Sequence, residues 1–176
     1  IATSFSDVSG YHKHNKAIQS LTSSGVINGY NDGTFKPEKT ITRAEAVKLI
    51  VAIVKSEDDV YNAKVDLYLQ NSVLPFFDIR VEDWHAPYIS IAHQNSVVKG
   101  YSDGYFRPNK TINFAEGLKI ILEGYNTNAN LTRFQKKDFL YINGDDWFGR
   151  YFTYVYNKNL INRAKFYHPA QAMTRG

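Results

Sequence analysis

Several side chains in this 176-residue sequence are of types that could do chemistry. Two acidic pairs, Glu82-Asp83 and Asp145-Asp146, supply the carboxylates a glycosidase needs. That chemistry requires one carboxyl on each side of a sugar bond, about 5–10 Å apart, and neighbouring acids in a chain are ordinarily solvated surface. Asn31-Asp32-Gly33 and Ser102-Asp103-Gly104 offer oxygen ligands as calcium loops do. The alternating ligand spacing and the closing Glu of such a loop are missing. His12, His14, His85, His93 and His168 form no H-E-x-x-H pair, and His12 and His14 stand too close together for a zinc site. There is no cysteine, which excludes disulfides and thiolate metal sites. No nucleophile elbow, Cys–His pair or phosphate loop is present. The expectation is a chain without catalysis, metal or cofactor.

Composition narrows the partners. With 43% hydrophobic and 22% charged residues, the chain can bury a core and is not disordered. Its 13 Tyr, 11 Phe and 2 Trp can fill that core and can also offer flat faces to sugars. The net charge of +4 comes from Lys and Arg spread along the chain, with Lys136-Lys137 the one local cluster. That pattern does not suit a nucleic-acid binder; it fits weak attraction to a polyanion such as an anionic wall polymer, or a solvated surface. No apolar run approaches the roughly 18 residues of a membrane span, so no membrane insertion is expected. Ile1-Ala2-Thr3-Ser4 has no signal-peptide character, so a secreted form would already have lost its signal.

The elements that position these residues come from an internal repeat. Gly29 to Pro37 reads GYNDGTFKP, and Gly100 to Pro108 reads GYSDGYFRP. The register holds without a gap from Phe5 and Phe76 onward: Asp7 falls on Asp78, Ile18 on Ile89, Val26 on Val97 and Glu45 on Glu116. About 18 of 47 aligned positions are identical, far above chance. A third, eroded copy aligns Trp147 with Trp84, Tyr151-Phe152 with Tyr88-Ile89, Pro169 with Pro108 and Thr174 with Asn113. Arg163 and Ala164 stand where the Gly-Tyr turn would be. The copies are 5–55, 76–124 and 138–176, the last truncated, joined by linkers 56–75 and 125–137 into one domain, 1–176.

Each copy reads as helix, loop, helix. Ala17, Ile18 and Leu21 share one helical face, and Gly25 ends that helix. Asn31-Asp32-Gly33 is a tight turn, and Pro37 fixes an extended exit. Thr42 and Glu45 form a capping box for a second helix, as do Asn113 and Glu116. Val47, Leu49, Ile50, Val51, Ile53 and Val54, and in copy two Leu118, Ile120, Ile121 and Leu122, make these second helices apolar around most of their circumference, so they are expected to be buried. One hairpin cannot bury two apolar faces alone, so the copies must stack. The fold class expected is mainly α, tandem helix-loop-helix repeats in a bundle with the second helices at its centre. The scheme calls for a further helix after Thr174, so the expectation is either a fragment of a longer protein, the favoured reading, or a bundle that borrows a helix from elsewhere.

The run Phe5-x-Asp7-Val8, Ala17-Ile18, Gly25-Val26-Ile27-x-Gly29-Tyr30-x-Asp32-Gly33-Thr34-Phe35-x-Pro37, Ile41-Thr42-Arg43-Ala44-Glu45 resembles an S-layer homology (SLH) motif from end to end. Phe76 to Leu122 is similar to the same motif, and about Asp145 to Gly176 resembles it in part. The resemblance implies a pseudo-three-fold bundle with grooves between repeats. It implies an extracellular location at the cell wall or S-layer, and non-covalent binding of a wall-linked polysaccharide, often one carrying pyruvate ketals. Other S-layer subunits are implied as further partners.

The family's contact positions map onto this chain residue by residue. Arg43 is the expected acid-binding residue, since a planar guanidinium can hold a carboxylate by two parallel hydrogen bonds; Arg175 matches it in copy three. Copy two has Phe114 there, so its groove is expected to be degraded or to take something neutral. Asp7 and Asp78 are expected to accept bonds from sugar hydroxyls, and Trp84 and Trp147 to stack on a pyranose, with Lys13 in their place in copy one. Gly29-Tyr30 and Gly100-Tyr101 are expected at the groove, the glycines letting ligand approach the backbone. Each has a structural alternative: a helix N-cap for the Asp residues, backbone conformation for the glycines, a surface ion pair for Arg43, and packing for the tryptophans. The missing cation in copy two and the eroded turn in copy three keep open a second reading, a protein–protein assembly module without glycan binding.

Overall fold

A computed structural model describes residues 5–71, 73–127, 129, 132–134, 139–143, 145–161 and 167–176. Lys136-Lys137, Arg163-Ala164 and the first four residues lie outside the described residues. The described residues form six helices: α1 (Asn15–Ser23), α2 (Arg43–Val54), α3 (Glu57–Tyr68), α4 (Ala86–Gln94), α5 (Phe114–Gly124) and α6 (Gly149–Asn157). The chain is mainly helical, as expected, and no described helix is long and apolar enough to cross a membrane. Two compact units are present, Ile1–Ile41 with Thr174–Gly176, and Thr42–Met173.

The repeat is visible in the helix positions. α1, α4 and α6 are each nine residues long and start at equivalent positions of the three copies. Each ends the same way: the residue after the C-cap turns left-handed, at Gly25 (φ 74°), Ser96 (φ 60°) and Asn159 (φ 55°). The next N–H then bonds back to the helix, Val26 to Leu21 O, Val97 to Ala92 O and Leu160 to Val155 O. Only Gly25 meets this need without steric cost, which explains why the sequence marks this helix end in copy one and not in the others.

In the first unit, Ile18, Val26, Ile27, Phe35 and Ile41 are buried. Asp7 holds the turn from below: its carboxylate accepts bonds from the backbone N–H groups of Phe35 (2.8 Å) and Lys36 (2.7 Å). Asp32 accepts from the Thr34 N–H and hydroxyl and pairs with Lys36 at 3.0 Å. Asp32 is thereby lowered to about 2, chiefly by the Thr34 hydroxyl, and Asp7 is lowered chiefly by the Phe35 N–H. Folded carboxyls that titrate below the ordinary 3.8 contribute stability that is complete above about pH 4 and lost as pH falls toward 2. Calorimetry between pH 5 and 2 should therefore show a falling Tm, and Asp32→Asn should flatten that slope. An unchanged slope would remove the turn from the account of acid sensitivity.

In the second unit, α2 packs against α4 and α5, α3 against α4, and α5 against α6. Both capping boxes form as read, Thr42 with Glu45 and Asn113 with Glu116. Ala44, Ala46, Val47, Ile50 and Val51 of α2 are buried, as are Leu118, Ile120 and Leu122 of α5. Ile53, Val54 and Ile121, expected inside, are exposed by 37–39%. Their apolar runs exceed one helical face, and these positions fall outside it.

Residues 57–68, read as part of a linker, form α3. The Ser56/Asp59 capping box and three acids in its first turn (Glu57, Asp58, Asp59) account for it. Acids there oppose the positive end of the helix dipole.

One hand-over between copies occurs three times. Arg43 N–H bonds Lys110 O and Ala44 N–H bonds Pro108 O; Phe114 bonds Gln171 O and Ala115 bonds Pro169 O; Arg175 bonds Lys39 O and Gly176 bonds Pro37 O. An antiparallel bridge accompanies each: Thr42 with Thr111, Asn113 with Ala172, and Thr40 with Thr174. At the starts of α2 and α5 the N–H groups that a helix start leaves without intrahelical partners are thus satisfied by the turn of the following copy, and Arg175 and Gly176, outside any described helix, make the same bonds to the turn of copy one.

Candidate functional site

Each of these hand-overs puts the side chain of its first bonded residue onto the neighbouring turn's aromatic rings. Arg43 lies with Cζ 4.8 Å from the Phe106 ring and 5.1 Å from the Tyr101 ring. Arg175 lies 4.6 Å from Phe35 and 5.0 Å from Tyr30. Phe114 takes the same place by stacking on Tyr167, at 5.3 Å and 13°. The exchange of Arg for Phe in copy two thus replaces a cation–π contact with ring stacking.

The two arginines differ in what remains for a ligand. Arg175 donates from Nε to Phe35 O and from Nη2 to Asn28 O, both at 3.0 Å. Arg43 is only 9% exposed, and its Nε has no partner among the described residues. Burial pulls its pKa below the ordinary value, with Tyr101 and Glu116 opposing. A buried guanidinium N–H left unbonded is costly and signals a missing acceptor.

Arg43 lines a cleft of about 250 Å³ together with Gly100, Tyr101, Glu116, Lys119 and Trp147. The structure therefore brings four of the expected residues together: Arg43, Gly100, Tyr101 and Trp147. Trp147 is 47% exposed and sits edge-on to Phe148, with the Lys119 ammonium 5.8 Å from its ring. Trp84 is exposed against the buried His85 ring and does not line this cleft. The Tyr101 hydroxyl donates to Glu116 Oε1 at 3.1 Å and accepts from Lys110 at 2.9 Å. Tyr30 accepts from Lys39 at 3.0 Å.

Asp7, exposed, and Asp78, half-buried, each hold a loop. Asp78 accepts from Phe106 N–H at 2.8 Å and Arg107 N–H at 2.7 Å, the same pair of bonds as Asp7. This is not the helix cap offered as the structural alternative, because the partners lie 28 and 29 residues away. Gly29 and Gly100 also have packing roles. A Cβ at Gly29 would meet the Phe5 ring at 2.2 Å, and one at Gly100 the Phe76 ring at 2.4 Å, with φ of Gly100 at +73°.

Sequence reasoning missed Lys119. Its signal was present: Lys48 and Lys119 occupy the same position of two helices, each followed there by an apolar run. Among the described residues no cluster of His, Asp and Glu could hold a metal ion.

A family model described as S-layer homology domain matches residues 4–47 and 75–116. The chain is 33% identical over 121 residues to the surface-layer 125 kDa protein of Lysinibacillus sphaericus, covering 69% of this chain and 9% of that protein. It is 38% identical over 96 residues to cell surface glycoprotein 1 of Acetivibrio thermocellus, 54% of this chain and 4% of that one. It is 29% identical over 109 residues to an amylopullulanase of Thermoanaerobacterium thermosulfurigenes, 61% and 5%. The chain spans less than a tenth of the length of these relatives. Through its first two copies, whose turns and helix starts build the cleft at Arg43, the chain belongs to the S-layer homology domain family and is a cell-surface anchoring module.

Proposed function

We propose that this chain is a non-catalytic anchor that holds a larger protein on an anionic, pyruvylated cell-wall polysaccharide, with the Arg43 cleft as its working groove. The observation that carries this reading is the Arg43 guanidinium, buried at the cleft wall with its Nε unbonded. A carboxylate in the cleft supplies the acceptor that Nε lacks, and a charge-assisted bond of this kind is about twice as strong as a neutral one. Trp147, half-exposed at the same cleft, offers a ring face to the sugar that carries the carboxylate. Tyr101 forms a wall, held in place by Lys110 and Glu116. Arg175, already bonded to two carbonyls, contributes packing more than ligand binding. Phe114 leaves the equivalent position of copy two without a cation.

Co-sedimentation with wall sacculi tests this reading. The chain should pellet with intact sacculi and remain soluble after hydrofluoric acid has stripped the secondary polymer. Equal pelleting before and after stripping would reject a polysaccharide ligand. Failure to pellet with either, with self-association in solution, would favour protein–protein assembly.

A further inference from the structure

One anion at Arg43 leaves much of the cleft's charge unanswered. Three cations line it: Arg43, Lys99 and Lys119. The one carboxylate in the lining, Glu116, is already engaged. Its oxygens accept from the Tyr101 hydroxyl at 3.1 Å and the Asn113 N–H at 3.1 Å, and Lys110 stands 3.5 Å away. Lys119 makes no ion pair within 4.0 Å among the described residues. The residue is half-buried. Burial holds its pKa below the ordinary value; Arg43, Lys99 and Arg150 add to this, and Glu123 opposes. Glu123 itself accepts the Tyr151 hydroxyl at 2.6 Å. Half-burying an unpaired ammonium among other cations is unfavourable without a counter-charge, and a cleft of one sign concentrates ligands of the other.

We propose that the cleft takes a saccharide carrying two anionic groups, the first bound at Arg43 and the second at Lys119 and Lys99, with Trp147 against the sugar between them. The inference rests on the polysaccharide reading and specifies its ligand further. A cleft of about 250 Å³ is at the small end of ligand sites, so both charges lie within a short stretch of the polymer. The second anion is a carboxylate or a phosphate; an ammonium, unlike a guanidinium, accepts either as a point charge.

Calorimetric titration of the whole chain with defined glycosides separates the possibilities. One probe carries a single pyruvate ketal. Two disaccharide probes carry the same ketal plus either a uronate carboxylate or a phosphate monoester on the neighbouring ring. At low salt the wild type should bind at least one double-charge probe about tenfold more tightly than the single-charge probe, or roughly 1.4 kcal/mol, and which one identifies the second anion. Lys119→Met should bring that ratio close to one, and Lys119→Arg should keep it. A ratio near one in the wild type, or a tenfold ratio that survives Lys119→Met, overturns the two-anion inference and leaves the single-anion reading standing. Failure of the wild type to bind any of the three probes overturns both.

Discussion

Replacing Arg43 by methionine is expected to abolish capture by wall polysaccharide while leaving the protein as stable as before, or more stable. The two effects have one origin. Arg43 is buried, its Nε has no partner among the described residues, and among them its burial is opposed by rings and by a carboxylate already in use. Methionine keeps most of the volume against Tyr101 and Phe106 and removes the desolvated charge. Exchanging buried charges for apolar groups of similar size is often neutral or stabilising by about 1–4 kcal/mol, against which stands a lost cation–π contact of about 1–2 kcal/mol. For binding there is no such compensation. Removing one member of a buried charge pair costs about 2–5 kcal/mol, a loss of roughly thirtyfold or more in affinity. Arg175→Met should show the reverse pattern, since Arg175 Nε and Nη2 bond Phe35 O and Asn28 O. Leaving those acceptors unmet should lower Tm, with a smaller effect on capture. Thermal melts and sedimentation on the two variants measure both quantities. Equal destabilisation by the two substitutions would contradict the division of roles.

Phe152→Ala should cost about 3–5 kcal/mol, the usual range for a buried Phe. Phe152 is 0% exposed and lies at the centre of the third copy's core. Its ring meets Phe114 at 5.6 Å, Phe139 at 5.9 Å and Phe148 at 5.9 Å, each edge-to-face. Removal opens a cavity bordered by three aromatic rings whose preferred geometry depends on it. The loss is comparable with the whole stability of many domains, so the unit Thr42–Met173 should melt far earlier or as an expanded state. Denaturant unfolding monitored by the fluorescence of Trp84 and Trp147, both in this unit, reads this directly. A change of under 1 kcal/mol would mean that copy three is not integral to the fold.

The helices of each copy were legible in the sequence because local chemistry sets them. The Thr42/Glu45 and Asn113/Glu116 boxes name their helix starts, and Gly25 names an end. α6 was legible only by alignment, since Asn159 carries the left-handed turn with no glycine to announce it. α3 was overlooked because its sequence lies between repeats, although Ser56 and Asp59 cap it in the same manner. The site was less legible than the fold. Asp7 and Asp78 carry chemistry-bearing side chains, yet they act on backbone 28 and 29 residues away, a distance no local pattern encodes. Arg43 and Arg175 occupy the same motif position and differ in burial and in whether carbonyl groups reach their guanidinium, which are tertiary facts. Trp84 and Trp147 are equivalent in the repeat, and Trp147 is the one that lines the cleft beside Arg43.

The Arg43 Nε–H itself offers the most direct test. Its nitrogen-15 resonance in the free protein should be that of a buried, unbonded guanidinium, and the Arg175 Nε–H that of a group bonded to a carbonyl. Titration with polysaccharide fragments released from sacculi should move the Arg43 Nε–H strongly downfield and slow its exchange with water, with the Arg175 signal in place. Fragments that bind, as shown by other shifts, and leave the Arg43 Nε–H unmoved would contradict the assignment of this cleft as the working groove.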